Sequence, residues 1–312
     1  MIPAWSPKEP SQCPWSRNTL RKVGKALTSD EPWPEGLPTF EDVSLWYQEI
    51  VGFVQATLYH LDLSSVIGDI EVTINGRTKT HGTLKEKLIR EKSVPLHNIQ
   101  DVAGVRFEAD MTLSQQSGVV AWTAVYLRSI GWKVGIKDYR TAPGLANYRA
   151  VHMRLERESD KARAEIQVRT RLQGLWANVY EKLADGLGRE IRYGFLPDDP
   201  EWQEVVKSFQ KMSIDEVRVA EENEQISESV VNDMKVLERQ ANDNPVILNS
   251  SSWVGPTWKI SSGGSISFQD MRNKLMVFNQ ESRNRRRSLI RTQEEILHML
   301  DGATLKTNKE KE

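Results

Sequence analysis

The stretch Arg163-Ala-Glu-Ile-Gln-Val-Arg-Thr170 limits the fold more than any other part of the chain. Apolar Ala164, Ile166 and Val168 alternate with polar Arg163, Glu165, Gln167 and Arg169, which is the period-two pattern of a strand with one buried face. On such a strand Glu165, Gln167 and Arg169 share the other face. A carboxylate, an amide and a guanidinium in one row are costly to bury together without a ligand or partners. By spacing alone the plain reading is an amphipathic strand with a solvated face, so the rest of the chain has to carry the argument.

The chain has 312 residues, enough for one large or two modest domains with real cores. With 38% hydrophobic and 27% charged residues it is expected to be soluble and largely folded. The formal net charge is −1, so binding of a nucleic acid or anionic ligand needs a local patch. Cys13 is the sole cysteine, which excludes an intramolecular disulfide or a cysteine-based zinc cluster and fits a reducing cytoplasm. The first residues lack a basic stretch followed by an apolar one, so no secretory signal is expected. No apolar run approaches the roughly 18–20 residues that cross a bilayer, so no membrane partner is expected either.

Residues 1–38 read as an N-terminal extension, with a helix over Asn18–Leu27 followed by a breaker-rich run to Pro38. Thr39 is a predicted helix cap with Asp42 three residues on, and Leu45, Trp46, Ile50, Phe53, Val54, Leu58 and Leu61 follow at helical spacing. A central α/β block runs over 39–195, with strands predicted at Ile70–Thr78, Gly104–Glu108, Lys133–Tyr139, Tyr148–Glu156 and Ala162–Thr170. Helices are predicted at Gly82–Glu91, Thr112–Ile130 and Arg171–Asp185, which gives a mixed five-stranded sheet flanked by helices. The last two strands, joined by a short polar segment, should form an antiparallel hairpin. Residues 196–240 read as a helical segment that packs on the block or on a second subunit, and 241–269 as a linker. Residues 270–312 read as a C-terminal helix and tail carrying Arg283-Asn-Arg-Arg-Arg287.

Four short motifs occur in order: Gly76–Lys87, Asp101–Arg106, Lys137–His152 and the Glu165 strand. Singly, each has an ordinary structural explanation: a solvated lysine face, a turn aspartate, a hydrogen-bonded histidine, a packing tyrosine. Together they supply what phosphoryl transfer from a nucleotide requires, which is positioning and neutralisation of phosphate charge. Mg²⁺ takes one or two carboxylates along with phosphate oxygens and water, and Asp101 and Glu165 are the candidates. Arg77, Lys79, Lys85, Lys87 and Arg106 offer cations to a triphosphate, and Tyr148 an aromatic face to a base.

In this combination the chain resembles the RelA/SpoT-type alarmone synthetases over roughly residues 65–190, and the surrounding helices are similar in layout to small single-domain members. The family's Arg-x-Lys-x-x-x-Ser-x-x-x-Lys element is matched by Arg77, Lys79, Thr83 and Lys87, with threonine for serine. Asp101 and Arg106 match its Asp-x-x-x-x-Arg element, Tyr148 and His152 its Tyr-x-x-x-His pair, and Glu165, Gln167, Arg169 and Thr170 its Glu-x-Gln-x-Arg-Thr strand. The resemblance implies a synthetase domain over 39–195 with a nucleotidyltransferase-type sheet. It implies that the β,γ-diphosphate of ATP moves to the 3′-hydroxyl of GDP or GTP with Mg²⁺ as cofactor. By the same carry-over Arg77 and Arg106 sandwich adenine, while Lys79, Thr83 and Lys87 hold the ATP phosphates. Asp101 and Glu165 bind the metal, and Glu165 also takes the hydroxyl proton. Tyr148 stacks on the acceptor guanine, and Lys137, His152, Gln167 and Arg169 line the acceptor side.

One departure qualifies this. The family's acceptor loop reads Pro-Lys-x-Asn-Gly-Tyr, whereas this chain has Pro143-Gly-Leu-Ala-Asn-Tyr148. Gly144 stands where the lysine is expected, and Ala146-Asn147 where Asn-Gly is expected. With the donor side intact, the loss points to an altered acceptor, for which toxin-type relatives supply two alternatives, the 3′ end of tRNA and adenine nucleotides. A non-catalytic nucleotide-sensing module is a further reading. No His-Asp hydrolase motif is present and no long regulatory C-terminus follows, so the expected enzyme is synthetase-only. Its restraint would fall to the segment after Leu196, to a homo-oligomer or to an antitoxin partner.

Overall fold

A computed structural model describes residues 7–243, 257–259 and 265–302. The chain divides into two compact units, Met1–Gly174 and Leu175–Glu312. The first begins with a strap over residues 7–16 and helix α1 (Arg17–Thr28), then α2 (Phe40–His60), a single turn α3 (Ser64–Ile67) and strand β1 (Val72–Thr78). It continues with α4 (His81–Arg90), β2 (Ala103–Ala109), α5 (Leu113–Ser129), β3 (Trp132–Asp138), β4 (Val151–Arg157) and β5 (Arg163–Thr170), and ends within the first turn of α6 (Arg171–Leu187).

Both long helices of this unit start on capping boxes. The Thr39 hydroxyl accepts from the Asp42 amide while the Asp42 carboxylate accepts from the Thr39 amide, and Thr112 and Gln115 repeat the arrangement at α5. The sheet order is β1-β2-β5-β4-β3. Only the β2–β5 pair is parallel; β1–β2, β5–β4 and β4–β3 are antiparallel, the β4–β5 hairpin among them as predicted. One face carries Ile74, Val105, Phe107, Met153, Leu155, Ile166 and Val168, all buried in a single core with residues of α2 and α5. α2 packs on β1 and β2, and α5 on β3, β4 and β5.

The opposite face is polar, and the register sets out its rows. Asn75, Arg106, Gln167, His152 and Lys137 are successive cross-strand partners from β1 to β3. The neighbouring row reads Arg77, Gly104, Glu165, Arg154 and Gly135. Side chains of one row share a face because the strand period is two. Tyr148 differs from its expected place at a strand start. It follows a 3₁₀ turn over Leu145–Asn147, and β4 opens three residues later at Val151. The cause is the backbone of that turn: Ala146 and Asn147 have φ of 57° and 63°, in the left-handed region no strand uses.

The second unit comprises the remainder of α6, α7 (Pro200–Met212), a π-helical segment over Ser213–Arg218, α8 (Val219–Asp243), the paired β6 (Thr257–Lys259) and β7 (Ser265–Ser267), and α9 (Phe268–Gly302). Trp176 and Tyr180 stack with centroids 5.0 Å apart, and Trp176 stacks on Phe209 of α7 at 5.9 Å; Val206, Phe209 and Val217 are buried in this unit. Part of the expected linker is therefore a β pairing that includes Trp258, while Trp253 lies outside the described residues. No helix among the described residues is long and apolar enough to cross a membrane.

Candidate active site on the polar face of the sheet

Three of the four sequence motifs meet around one cleft. It encloses about 150 Å³ and is lined by Asn75, Arg77, Lys79, Asp101, Arg106 and Gln167, with the backbone of Gly76, Gly104 and Val105 between them. Arg77 and Lys79 come from the end of β1, where the Lys79 amide still bonds to the Val102 carbonyl at 3.0 Å and brings its side chain beside Asp101. Asp101 is held from two sides, by Lys79 Nζ at 3.1 Å and by Lys87 Nζ of α4 at 2.8 Å. Burial alone would raise the Asp101 pKa, but the two ammonium groups outweigh it and hold the carboxyl below its usual range. Lys87 is raised by the same contact, against burial, which pulls the other way.

Thr83 lies one helical turn before Lys87, on the same side of α4. Its amide donates to the capping Thr80 hydroxyl and its own hydroxyl to the Thr80 carbonyl at 3.0 Å. Amides at a helix start carry partial positive charge, so the start of α4 with Thr83 adds to the positive charge of Lys87 one turn on.

Glu165 sits on β5, next to Gly104 across the parallel pair and next to Arg154 across the antiparallel one. It is buried, and its oxygens accept from His152 Nδ1 at 3.0 Å and from Gln167 Nε2 at 3.2 Å. Burial pushes its pKa up, the His152 hydrogen bond pulls it down, the negative charge of Asp101 raises it again, and the net position is below the usual carboxylate range. The two carboxylates thus feel one another, and both are ionised at neutral pH.

Arg169, Tyr148, His152 and Gln167 join a continuous hydrogen-bonded chain. Arg169 is 2% exposed; its Nε and Nη2 donate to the Tyr148 hydroxyl at 3.2 and 3.1 Å, and Nη2 also donates to Gln167 Oε1 at 2.7 Å. The Tyr148 oxygen lies 2.9 Å from His152 Nε2. Because the ionised Glu165 carboxylate can only accept, His152 carries a proton on Nδ1, toward Glu165, and its Nε2 shares a hydrogen bond with the tyrosine hydroxyl. Burial raises the Tyr148 pKa, which keeps it a donor. At the far end Arg169 Nη1 meets Glu108 at 3.3 Å. Gly174 makes room for that carboxylate, since a Cβ there would lie 2.7 Å from Glu108 Oε2.

Residues 76–185 match the family described as "Region found in RelA / SpoT proteins". That segment is a RelA/SpoT region. The chain is also 38% identical over 188 residues to uncharacterised proteins of Mycobacterium tuberculosis and Mycobacterium bovis, covering 60% of its own length and 66% of theirs. Among solved structures it is similar to small alarmone synthetase 1 of Bacillus subtilis bound to its product pppGpp, at 21% identity, 62% coverage of this chain, 98% of that one and a TM-score of 0.47. A GTP pyrophosphokinase family protein of Streptococcus pneumoniae is similar at 20% identity, 61% and 94% coverage and a TM-score of 0.44.

Within the RelA/SpoT region the sequence motifs sort into two groups on one sheet face. Arg77, Lys79, Lys87, Asp101 and Arg106 gather on the β1–β2 side, and Tyr148, His152, Gln167, Arg169 and Glu165 on the β5–β4 side. Lys137 is exposed on β3, paired with His152 in register and with its Nζ 4.6 Å from the Tyr139 ring centre. Sequence reading overlooked Asn75, Glu108, Tyr139 and Arg154. The strand register puts Asn75 beside Arg106 and Arg154 beside Glu165 on the polar face, and only the strand order shows those neighbours. Tyr139 packs edge-on to His152 and Tyr148, at centroid distances of 4.9 and 5.9 Å, and so closes the aromatic side of the site.

Mg²⁺ suits this donor set. Ionised Asp101 lines the cationic cleft and ionised Glu165 is near enough to feel its charge, so the chain offers the one or two carboxylates such an ion takes. A metal that keeps water and phosphate oxygens in its shell needs such an incomplete protein site.

Proposed function

We propose that this chain is an ATP-dependent pyrophosphokinase that transfers the β,γ-diphosphate of ATP to the 3′-hydroxyl of GDP or GTP. The observation that carries the reading is Asp101, clamped by Lys79 and Lys87 in an arginine-lined cleft and near enough to Glu165, on the strand paired with β2, for the two charges to interact. Membership of residues 76–185 in the RelA/SpoT region supports it.

In this reading Arg77 and Arg106 take the adenine between their guanidinium planes, and Lys79, Lys87 and the α4 start with Thr83 take the phosphates. Mg²⁺, held by Asp101 and Glu165, neutralises phosphate charge when bound. The acceptor lies over Tyr148 on the β4–β5 side. Its 3′-oxygen attacks the β-phosphorus, the bond from that phosphorus to the α,β-bridging oxygen breaks, and AMP leaves. The hydroxyl proton passes to Glu165, whose orientation His152 and Gln167 fix. Positioning and charge neutralisation do most of the work, as this chemistry demands.

A second reading, transfer to the 3′ end of tRNA or to adenine nucleotides, rests on the loop before Tyr148. Gly144 brings no charge there, and a Cβ at this position would already touch the Tyr139 ring at 3.3 Å. Incubation of purified protein with γ-labelled ATP, Mg²⁺ and one of GDP, GTP, AMP or deacylated tRNA separates the readings. Label on GDP or GTP with stoichiometric AMP is the expected result. Label on tRNA or AMP would replace the acceptor. Label on none, with no AMP formed, would leave only a nucleotide-binding module.

A further inference from the structure

Arg154 is a cation of the polar face whose setting has no counterpart in the transfer chemistry described so far. It sits directly across from Glu165 in the β4–β5 register, on the side of that carboxylate away from the Arg77–Arg106 cleft. It is exposed, and no carboxylate among the described residues pairs with it. Its neighbours on β4 are accounted for: His152 is bound to Glu165, and Glu156 to Arg163 at 2.9 Å. Its partner on the outer strand is Gly135, which puts no side chain beside the guanidinium. Two residues further along β3, exposed Lys137 shares the same face. A guanidinium with five donors, set beside the carboxylate at the reacting centre and flanked by a lysine and an open glycine, is built to take a planar or tetrahedral anion.

Resting on the transfer reading above, we infer that Arg154, assisted by Lys137, binds the 5′-phosphates of the acceptor. The acceptor is therefore a nucleotide that carries its own phosphate, and Arg154 is the residue that selects it over a bare 3′-terminal ribose. The donor triphosphate already has Lys79, Lys87 and the α4 start on the other side of Glu165, so an anion at Arg154 belongs to the second substrate.

The test is steady-state kinetics of Arg154→Gln with ATP and GDP varied separately. A lost charge-assisted contact raises the KM for GDP by roughly ten- to a hundred-fold, with the KM for ATP within about two-fold of the parent, and Arg154→Lys recovers part of the loss. Guanosine, which lacks the phosphates, is used equally poorly by parent and variant. A rise in the KM for ATP instead, or an unchanged KM for GDP, overturns the assignment. Calorimetric titration of GDP into both proteins separates this from the transfer reading itself. If the parent binds GDP but transfers nothing, the transfer reading fails, and weaker GDP binding by Arg154→Gln still supports the anion site. Equal binding by the two proteins, or no binding by the parent, overturns it.

Discussion

At the scale of single residues, charge and proton placement decide the chemistry. Glu165→Gln keeps the size and the hydrogen bond to His152 but removes the proposed acceptor of the hydroxyl proton. Transfer should fall by about three orders of magnitude or more while ATP binding, followed by calorimetry, stays within a few-fold. Tyr148→Phe asks a finer question, because it keeps the ring that would stack on a base and removes only the hydroxyl bonded to His152 Nε2. Losses from outer partners of this kind run about 10–100-fold, so kcat should drop in that range with the acceptor KM little changed. Nitrogen NMR of labelled histidine should at the same time show the Nε2 resonance shift as that nitrogen loses its hydrogen bond, while Nδ1 keeps its proton toward Glu165; retention of both kcat and the Nε2 resonance would remove the relay from the mechanism. Asp101 adds a stability signature. Its pKa in the fold lies below the unfolded value of about 3.9, so its contribution is complete above that pH and is lost as pH falls through the lower, folded value. Urea midpoints taken between pH 6 and pH 3 should therefore fall less steeply for Asp101→Asn than for the parent.

At the scale of elements, the site depends on two glycines that let neighbouring parts approach. Gly76 heads the Arg77–Lys79 run, and a Cβ on it would lie 2.5 Å from Val51 Cγ1 on α2. Val51 is β-branched and stiff, so Gly76→Ala should force β1 off the helix and lower stability by about 1–3 kcal/mol in chemical denaturation. Gly174→Ala meets instead the movable end of Glu108, and alanine gains about 1 kcal/mol of helix preference in α6. Those effects nearly cancel in stability, whereas displacement of Glu108 from Arg169 loosens the chain leading to Glu165; activity should drop several-fold with an unchanged denaturation midpoint. Much of this architecture was legible in the chain. The alternation in Arg163–Thr170 placed β5, and Thr39 with Asp42 placed the start of α2, because each signal is local. The place of Tyr148 was not, since the consecutive left-handed residues Ala146 and Asn147 carry no glycine to announce the turn. The meeting of Asp101 with Lys87, and of Arg154 with Glu165, depends on strand order, which no local spacing encodes.

At the scale of the whole molecule, the distribution of charge bears on which acceptor the chain takes. A polyanion such as tRNA is held chiefly through its phosphates, and each neutralised phosphate adds to the salt dependence. The net charge of −1 supplies no long-range attraction, so a local basic surface would have to do so. The run at Arg283–Arg287 is a dense basic stretch of the sequence, but the second unit uses half of it internally. Arg286 is buried and meets Glu224 at 2.8 Å, and Arg285 meets Glu216 at 3.1 Å. That leaves Arg283 and Arg287 exposed, so the run offers at most two phosphate contacts and a salt slope no steeper than about −1.8. Arg286→Ala, which strands Glu224 beside a hole, should cost stability by about 1–3 kcal/mol, whereas Arg283→Ala with Arg287→Ala should cost almost nothing. The same paired substitution should leave ATP-dependent transfer to GDP unchanged. At about 0.15 M salt, GDP or GTP should stimulate AMP release by the parent protein far more than deacylated tRNA does. Stimulation by tRNA that survives both raised salt and loss of Arg283 and Arg287 would mean that a nucleic-acid surface lies elsewhere on the chain and that the acceptor is not a free nucleotide.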